Sequence, residues 1–288
     1  MAVQITKCNY CECDDLKSIL KVTDHSITKE SFELLECFCC GLIHTNPQPT
    51  ESEIGKYYQS DAYVSHTDTK KGLINTLYHL ARKWTLIKKN NLIQNYHIKT
   101  SLLDIGCGTG YFAEFMKGKG FQVDVMEPDP EAAKQAAEKI HKKPFTSLEQ
   151  ITGKYKVITM WHVFEHVFDI NATFEKLDSL LTKDGILVIA VPNPESPDAQ
   201  LYKADWAAYD VPRHLYHYKK SVIKQIANRY EMKVNKIVPM KLDSYYISML
   251  SEKYKGGSIL NACWNGFVSN FKADAQNTSS LIYIIERK

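Results

Sequence analysis

A glycine-rich turn between two apolar segments carries the pattern in this sequence most suited to binding a ligand. Residues 101–111 read S-L-L-D-I-G-C-G-T-G-Y, so an apolar strand ends near Asp104 and three glycines interrupt it before a helical pattern resumes. Such a turn brings bare backbone and helix-terminal N–H groups against a ligand. A second apolar strand, 121–126, ends in Glu127, about 20 residues further on, where a ribose-binding acid belongs in a βαβ nucleotide site.

The spacing of the glycines indicates which nucleotide would bind. G-x-G-x-G differs from the G-x-G-x-x-G of dinucleotide folds, and Asp104 would repel a pyrophosphate but suit an ammonium or sulfonium group. S-adenosylmethionine has both groups and a ribose diol. L-D-I-G-C-G-T-G resembles the first signature of class I S-adenosylmethionine-dependent methyltransferases, and V-M-E-P resembles the second; the alternative is a structural glycine turn in another α/β domain. The candidate cofactor contacts are Asp104, Gly106, Cys107, Gly108, Gly110, Glu127, Pro128, Trp161 and His162.

Cysteine spacing predicts a zinc site near the N-terminus. Cys8-Asn-Tyr-Cys11 and Cys37-Phe-Cys-Cys40 are two C-x-x-C knuckles, and two such turns supply four sulfurs to a tetrahedral ion. We prefer Cys37 with Cys40, because that spacing mirrors the first knuckle, but Cys39 is an alternative. Reduced cysteines in a small unliganded lobe are the other interpretation, although so small a lobe has little core without a metal. The predicted zinc ligands are Cys8, Cys11, Cys37 and Cys40.

The segment Trp161-His-Val-Phe-Glu-His166 follows an apolar strand, so we expect it near the cofactor, beyond the carboxyl end of the sheet. Trp161 or His162 would cover the adenine or the methionine end. The segment resembles the one after the fourth strand in quinone and related small-molecule O-methyltransferases, which commonly ends in E-H-V. Some of those bind a divalent ion with two acids and a histidine. Here His162 occupies the first acidic position, so an ion at Glu165 and His166 stays open, as does a purely structural role for both. H-V-F-E-H also matches a zinc-peptidase pattern, which its place after a strand disfavours.

A second group of polar residues, Asp210-Val-Pro-Arg-His214, could supply a base. Methyl transfer is a direct displacement that needs an aligned nucleophile and little water, and a hydroxyl nucleophile benefits from a histidine base. Asp210 would orient His214, and Arg213 would hold an acidic group of the substrate. The alternative is that His214 caps the following helix. The catalytic candidates are therefore His214, His162 and His166. If His214 is the base, the methyl-transfer rate should rise with pH in the neutral range.

The elements that must position these residues alternate as strands and helices. We predict an α/β fold with a Rossmann-like, doubly wound, seven-stranded mixed sheet whose last strand is antiparallel. A small zinc-ribbon-like lobe and a helical lid precede this sheet. The predicted domains are a zinc lobe at 1–48, an aromatic and helical lid at 49–98, and a cofactor-binding core at 99–288 with a cap loop at 193–217 and a helical insertion at 243–271. The predicted strands are 102–105, 122–126, 143–145, 156–161, 186–191, 234–240 and 280–286, and the predicted helices include 71–96, 130–140, 172–181 and 220–230.

Composition narrows the classes of function. The net charge of +3 is too small to favour nucleic acid, and no apolar run approaches the roughly 18 residues that span a bilayer. The N-terminus lacks a signal-peptide core, so we expect a cytoplasmic protein without a disulfide framework.

Over most of its length the chain resembles bacterial methyltransferases that include deoxysugar C-methyltransferases. The resemblance implies O- or C-methylation of a small-molecule acceptor, such as a sugar, quinone or lipid-linked metabolite. The alternatives are an RNA methyltransferase, a non-catalytic cofactor-binding module and a metallohydrolase using His162 and His166.

Overall fold

The computed structural model describes residues 2–58, 73–274 and 276–288, and their strands form two sheets. The first sheet has the order β1-β2-β3-β8, and the second has the order β5-β4-β6-β7-β10-β9. The strands are β1 (Leu16–Thr23), β2 (Ser31–Cys37), β3 (Ile43–Asn46), β4 (Ser101–Ile105), β5 (Gln122–Met126), β6 (Tyr155–Trp161), β7 (Leu181–Pro192), β8 (Tyr216–His217), β9 (Met232–Pro239) and β10 (Ser280–Arg287).

The six-stranded sheet is mixed, as predicted. Strands β5, β4, β6 and β7 pair in parallel, and β10 runs antiparallel to both β7 and β9. The predicted seventh strand at 143–145 is wrong: in the described chain this segment makes only the single parallel bridge Met126↔Phe145. Pro144 explains the failure, because proline has no N–H to donate to a ladder.

Helices cover both faces of this sheet, because its parallel strands alternate apolar side chains between two cores. On one face, Leu103 and Ile158 join Phe174 and Ile226. On the other face, Leu102, Val157 and Ile186 join Ile93 and Met116. The helices are α1 (Leu73–Gln94), α2 (Tyr111–Gly118), α3 (Pro130–Ile140), α4 (Ile170–Leu180), α5 (Pro197–Tyr202), α6 (Lys220–Arg229), α7 (Asp243–Lys255) and α8 (Ile259–Lys272). Among the described helices, none is both long enough and apolar enough to cross a bilayer.

Helix α1 confirms the helical pattern at 71–96. Spacing by fours and threes predicts one inner face that consists of Leu73, Leu77, Leu80, Trp84 and Ile87, but the observed inner face differs. Trp84 and Ile87 are exposed, whereas Leu92 and Ile93 are buried. Lys71 and Gly72 lie outside the described residues, as do the side chains of the three leucines. The C-terminal half of α1 therefore turns Leu86, Lys89 and Ile93 inward, and this change of face brings a lysine toward the sheet.

The predicted cap, 193–217, is largely ordered. It contains α5 and two short 3₁₀ turns, Lys203–Asp205 and Ala207–Tyr209, and it ends in β8, which pairs with β3 of the smaller sheet. The predicted insertion at 243–271 is a helical hairpin of α7 and α8. The division of the chain at residues 48 and 98 stays a prediction about sequence organisation. The structure adds that N-terminal residues such as Cys8 and Leu42 share one apolar cluster with the larger sheet.

Candidate functional site

The glycine turn lies between β4 and α2, at the carboxyl edge of the six-stranded sheet. Gly106 and Gly110 have φ angles of +65° and +83°, in the left-handed region that favours glycine. A Cβ at Gly110 would lie 2.9 Å from the Ala136 Cα, and one at Gly106 would lie 2.4 Å from the Val163 Cγ2. Gly110 also begins α2, so the turn presents backbone N–H groups at a helix N-terminus.

Glu127 is fixed against this turn by two backbone donors. Its carboxylate accepts hydrogen bonds from Gly108 N at 2.7 Å and from Asp129 N at 3.0 Å. The side chain is buried, and burial raises its pKa. Both carboxylate oxygens thus face the end of β5 and the glycine turn, while the following Pro128 is exposed.

Asp104 lies in β4 and is buried at the centre of the same edge. It accepts a 2.6 Å hydrogen bond from Thr159 Oγ1 on β6, and burial raises its pKa to about 7. Cys107 is half-buried in the turn, where burial raises the pKa of its thiol. The structure therefore brings Asp104, the glycines and Glu127 together, although whether they contact a cofactor stays a prediction.

Lys89 of α1 enters this site, which the sequence analysis did not foresee. Its Nζ lies 3.8 Å from the centroid of the Trp161 ring, which packs edge-on against Phe112. Burial lowers the pKa of Lys89 to about 8, although the negative charges of Asp104 and Asp243 oppose that effect. The only signal in the sequence is that Lys89 precedes the buried Ile93 by four residues and so shares its helix face.

His162, the first histidine after β6, lies between two acids. Its Nδ1 is 3.4 Å from Glu165 Oε1, and its Nε2 is 3.2 Å from Asp243 Oδ2 at the start of α7. Burial opposes its charge, but Asp243 and Glu165 outweigh burial and raise its pKa to about 10. His162 is thus a cation at neutral pH, which suits positioning of α7 better than accepting a proton.

Glu165, His166 and His214 form a cluster in which one ligand atom from each lies within 4.8 Å of the others. His166 Nδ1 is 2.9 Å from the backbone oxygen of Arg213, and His214 Nδ1 is 2.9 Å from that of Ala208. Because a carbonyl only accepts, each Nδ1 carries a proton. His214 Nε2 faces Glu165 Oε1 at 4.0 Å. We name Glu165, His166 and His214 the histidine–glutamate cluster.

The protonation states within this cluster are set by burial and by neighbouring charges. Burial and the nearby His166 lower the pKa of His214 to about 4, although Asp210 and Glu165 oppose this effect. Burial raises the pKa of Glu165, but His162 and His214 outweigh that effect, so the pKa is below its usual range. Both Glu165 carboxylate oxygens are buried: Oε1 forms an ion pair with His162 at 3.4 Å, and Oε2 has no hydrogen-bond partner among the described residues. The cluster therefore combines a neutral imidazole with an under-coordinated carboxylate.

Arg213 does not hold a substrate group as the sequence analysis expected. It is fully buried and donates hydrogen bonds to Asp210 at 2.7 Å, to Asp24 at 3.0 Å and to the Tyr57 backbone oxygen at 2.9 Å. Asp210 is committed mainly to this arginine and lies 3.9 Å from His214 Nε2. These bonds tie the cap to the smaller sheet.

His214 also does not cap the next helix, because α6 begins at Lys220 with Lys219 as its N-cap residue. Tyr58 is a further neighbour that the sequence did not indicate: its hydroxyl lies 3.1 Å from His166 Nδ1.

The four predicted zinc ligands converge at one point of the N-terminal lobe. Sγ of Cys8 lies 3.6 Å from that of Cys40, and Sγ of Cys11 lies 3.6 Å from that of Cys37. All four sulfurs are within 4.8 Å of one another. His44 Nε2 lies 3.4 Å from Cys8 Sγ.

Cys13 and Cys39 are joined by a disulfide, contrary to the expectation of reduced thiols. They lie on adjacent turns with their Cα atoms 6.4 Å apart, within the range a disulfide allows. This bond occupies Cys39 and leaves Cys37 as the partner of Cys40 in the four-sulfur cluster.

Comparison with known proteins identifies the family. Residues 37–236 match a family described as a methyltransferase domain. Ubiquinone biosynthesis O-methyltransferases are similar: the protein of Pelagibacter ubique is 36% identical over 121 residues, 36% of this chain and 50% of that protein. The protein of Rickettsia typhi is 26% identical over 59% of this chain and 73% of its own length. The chain spans about half the length of the curated relatives it matches.

Solved structures show the same fold at low sequence identity. Magnesium protoporphyrin IX methyltransferase from Synechocystis PCC 6803, solved with bound S-adenosylhomocysteine, aligns with a TM-score of 0.52 at 15% identity. The alignment covers 81% of this chain and 96% of that one. Because the family match covers well over half of the sequence and includes the glycine turn and the histidine–glutamate cluster, this chain belongs to the methyltransferase-domain family and has the class I S-adenosylmethionine-dependent methyltransferase fold.

Proposed function

We propose that this protein transfers a methyl group from S-adenosylmethionine to an oxygen or carbon atom of a small-molecule acceptor. The observation that carries the proposal is the fixed Glu127 carboxylate, which faces the glycine turn with Asp104 alongside. The names of the O-methyltransferase relatives support the same reaction class. The acceptor would lie between this edge, the cap and the α7–α8 hairpin.

The cofactor's functional groups match the charges of the site one by one. Glu127 would accept hydrogen bonds from the ribose diol, and the N–H groups of the turn would lie against the methionine part. Asp104 would face the ammonium group. Lys89, which stands over Trp161, would bind the carboxylate, because an ammonium and a carboxylate form a strong charge-assisted hydrogen bond.

His214 would serve as the base. When bound, S-adenosylmethionine supplies an electrophilic methyl group, and its transfer breaks the carbon–sulfur bond and leaves the electron pair on sulfur. His214 Nε2, left unprotonated because burial lowers the pKa and the Nδ1–H bond to Ala208 fixes the tautomer, would take the proton from the acceptor. The ionised Glu165 would stabilise the resulting imidazolium, and the buried surroundings would exclude water.

The same cluster also fits a divalent ion, which is the second candidate for this site. Glu165 offers Oε2, which has no hydrogen-bond partner among the described residues, and the Nδ1–H bonds to backbone carbonyls are typical of metal-binding histidines. Glu165, His166 and His214 would hold the ion, which would activate an acceptor hydroxyl as a Lewis acid. Chelation followed by addition of Mg²⁺, Mn²⁺ or Zn²⁺ separates the two candidates: a metal-free enzyme with full activity excludes the ion.

We propose further that Cys8, Cys11, Cys37 and Cys40 bind structural zinc. Zinc–sulfur bonds of about 2.3 Å in a tetrahedron place sulfurs about 3.8 Å apart, close to the separations in this cluster. His44 would donate its Nε2–H to the Cys8 thiolate, as outer-shell partners of metal ligands commonly do.

Calorimetry with S-adenosylmethionine, S-adenosylhomocysteine and NAD tests the cofactor, and labelled methyl transfer to a panel of catechols, hydroxyquinones and nucleotide sugars tests the reaction. We expect micromolar binding of the first two ligands, no binding of NAD, and label in at least one acceptor class. Cofactor binding without turnover of any acceptor would favour the non-catalytic module. Transfer to RNA, with salt-dependent affinity, would favour the RNA methyltransferase. Hydrolysis that stops with chelation and needs no methyl donor would favour the metallohydrolase.

A further inference from the structure

The hairpin of α7 and α8, residues 241–274, presents an apolar face to solvent. Leu260, Trp264, Phe267 and Phe271 are 78%, 65%, 52% and 83% exposed. Their spacing of i, i+4, i+7 and i+11 places them on one side of α8, where Phe267 contacts both Trp264 and Phe271. Four large apolar side chains in a row form a contiguous patch, and such patches mark interaction surfaces.

The inner face of α8 consists of different residues. The opposite side of α8 carries Ala262, Gly266 and Ser269, which are buried. A Cβ at Gly266 would lie 2.9 Å from the Tyr245 ring, so α7 and α8 pack closely through small residues. Helix α8 therefore has two apolar sides, and within the described part of the chain the side with small residues is the one that is covered.

Hydrogen bonds hold the hairpin in this orientation. Ser269 Oγ donates to Asp198 at 2.8 Å, and Ser251 Oγ accepts from Ala207 N at 2.9 Å. Both bonds fix the inner side of the hairpin to the cap. Turning the aromatic face inward would break them and leave buried polar groups without partners, at a cost in stability.

The charges around the patch indicate its partner. All four lysines of the hairpin, Lys241, Lys253, Lys255 and Lys272, are exposed. Of its three acids, Glu252 is buried and Asp243 contacts His162, so only Asp274 is exposed. A helical hairpin with an exposed apolar row and an excess of exposed lysines is typical of segments that lie in a membrane interface. A second copy of this chain is a poorer occupant, because a two-fold contact would bring two sets of lysines together.

We propose that the outer face of the α7–α8 hairpin docks onto an anionic lipid bilayer, with the apolar side chains among the acyl chains and the lysines against the headgroups. Because Asp243 at the start of α7 contacts His162, docking would bring the candidate site close to the lipid surface.

Flotation of the full-length protein with lipid vesicles tests this docking. We expect binding to vesicles of phosphatidylcholine with about 30 mol% phosphatidylglycerol, weaker binding to pure phosphatidylcholine, and a loss of affinity at high salt. The W264S/F267S/F271S variant should lower the partition coefficient at least about tenfold, because it removes the apolar area that docking would bury in the bilayer. K253Q/K255Q/K272Q should weaken binding to the anionic vesicles alone.

The matched control is I19S/I98S, which removes two exposed apolar side chains elsewhere and should bind as the wild type does. Cofactor titration confirms that each variant is folded. Equal binding by W264S/F267S/F271S and the wild type would overturn the proposal, as would an absence of vesicle binding. Sedimentation velocity tests whether a second copy of the chain occupies this face. A wild-type dimer that dissociates in W264S/F267S/F271S would assign the face to a second copy and would also overturn the proposal.

Discussion

Thr45 in β3 donates a 2.6 Å hydrogen bond from its hydroxyl to the backbone oxygen of His214. The same strand pairs with β8, which lies directly after that histidine, and Thr45 N also bonds to the Leu215 oxygen at 3.0 Å. The N-terminal lobe therefore holds the segment that carries the candidate base. This contact links a lobe that holds none of the predicted cofactor contacts to the candidate base near the edge of the larger sheet.

The first prediction concerns this link. Cys8→Ser removes one of four sulfurs, so we expect loss of zinc, a lower melting temperature and lower turnover because His214 loses its support. S-adenosylmethionine affinity should change little, since the glycine turn lies in the other sheet. Because Cys8 lies in one apolar cluster with residues of the larger sheet, we expect partial destabilisation of both the lobe and that sheet.

Elemental analysis, thermal unfolding and kinetics check this outcome. Cys263→Ser is the matched control, because Cys263 is an exposed free thiol outside the lobe. Zinc content near zero in the wild type, with the thiols freely titratable, would count against the metal site.

The second prediction concerns Glu127. Glu127→Ala removes the acceptor for the ribose diol, and each charge-assisted hydrogen bond contributes about 1.5–3 kcal/mol, so cofactor affinity should fall roughly tenfold to hundredfold. Calorimetry measures the change. Glu131→Ala, an exposed acid in the first turn of α3, is the control and should bind the cofactor normally. An unchanged affinity in Glu127→Ala would remove this residue from the site.

The cofactor edge was predictable because its signals are local. The glycine turn, Asp104 and Glu127 all lie at the ends of strands that pair in parallel, so chain order alone brings them together. Helix α3 was predicted with its observed bounds, because Asp129 and Pro130 are strong start signals. The four-sulfur cluster was also predictable from local spacing, because two C-x-x-C knuckles supply its cysteines, Cys8, Cys11, Cys37 and Cys40.

The other half of the site depends on contacts between residues far apart in the chain. Lys89, Tyr58 and Asp243 enter from a helix, a turn and the hairpin, and no spacing rule connects them with Trp161 or His166. Arg213 misled the sequence analysis, because its partner Asp24 is 189 residues away and only the fold brings the two together. Long-range ion pairs of this kind are set by tertiary packing rather than by local pattern.

The third prediction concerns His214. A positioned histidine base contributes roughly 10²–10⁴-fold in rate, so His214→Asn should lower turnover at least about tenfold with cofactor affinity nearly unchanged. His217→Asn should do much less, because His217 is buried and its Nε2 lies 3.1 Å from the Thr45 hydroxyl. Full activity in His214→Asn would return that residue to a structural role.

The structure changes the pH dependence that we expect for this activity. The sequence suggested a rate rising in the neutral range, but burial lowers the pKa of His214 to about 4. We now expect a rate that is flat near neutrality and falls only as pH drops toward that value. A rate that rises through pH 7 with a single ionisation would identify a different base.

The fourth prediction concerns how the free energy of unfolding depends on pH. His214 has a folded pKa of about 4 against an ordinary value of 6.5, so stability should fall as pH drops from 6.5 to 4, where only the unfolded chain gains a proton. His162 has a folded pKa of about 10, so stability should fall as pH rises from 6.5 to 10, where the unfolded chain has lost its proton. Urea unfolding across this range measures both limbs. His162→Gln should flatten the alkaline limb alone; an unaltered limb would contradict the assignment.

The fifth prediction concerns Lys89. If this lysine binds the carboxylate of the cofactor, Lys89→Met should weaken S-adenosylmethionine binding roughly tenfold or more, because methionine keeps the apolar stem but loses the charge. Lys88→Met is the matched control: Lys88 is the adjacent residue, is exposed, and lies over Trp84 rather than Trp161. That control should bind the cofactor as the wild type does.

A cofactor analogue separates binding of the carboxylate from a general effect of the substitution. Decarboxylated S-adenosylmethionine lacks the group that Lys89 would contact, so the wild type and Lys89→Met should bind it with similar affinity. A loss of affinity for both ligands would instead mean that Lys89 supports Trp161 and Asp104 structurally, since its Nζ stacks on that ring and its charge offsets that carboxylate. Equal binding of S-adenosylmethionine by the wild type and Lys89→Met would remove Lys89 from the site altogether.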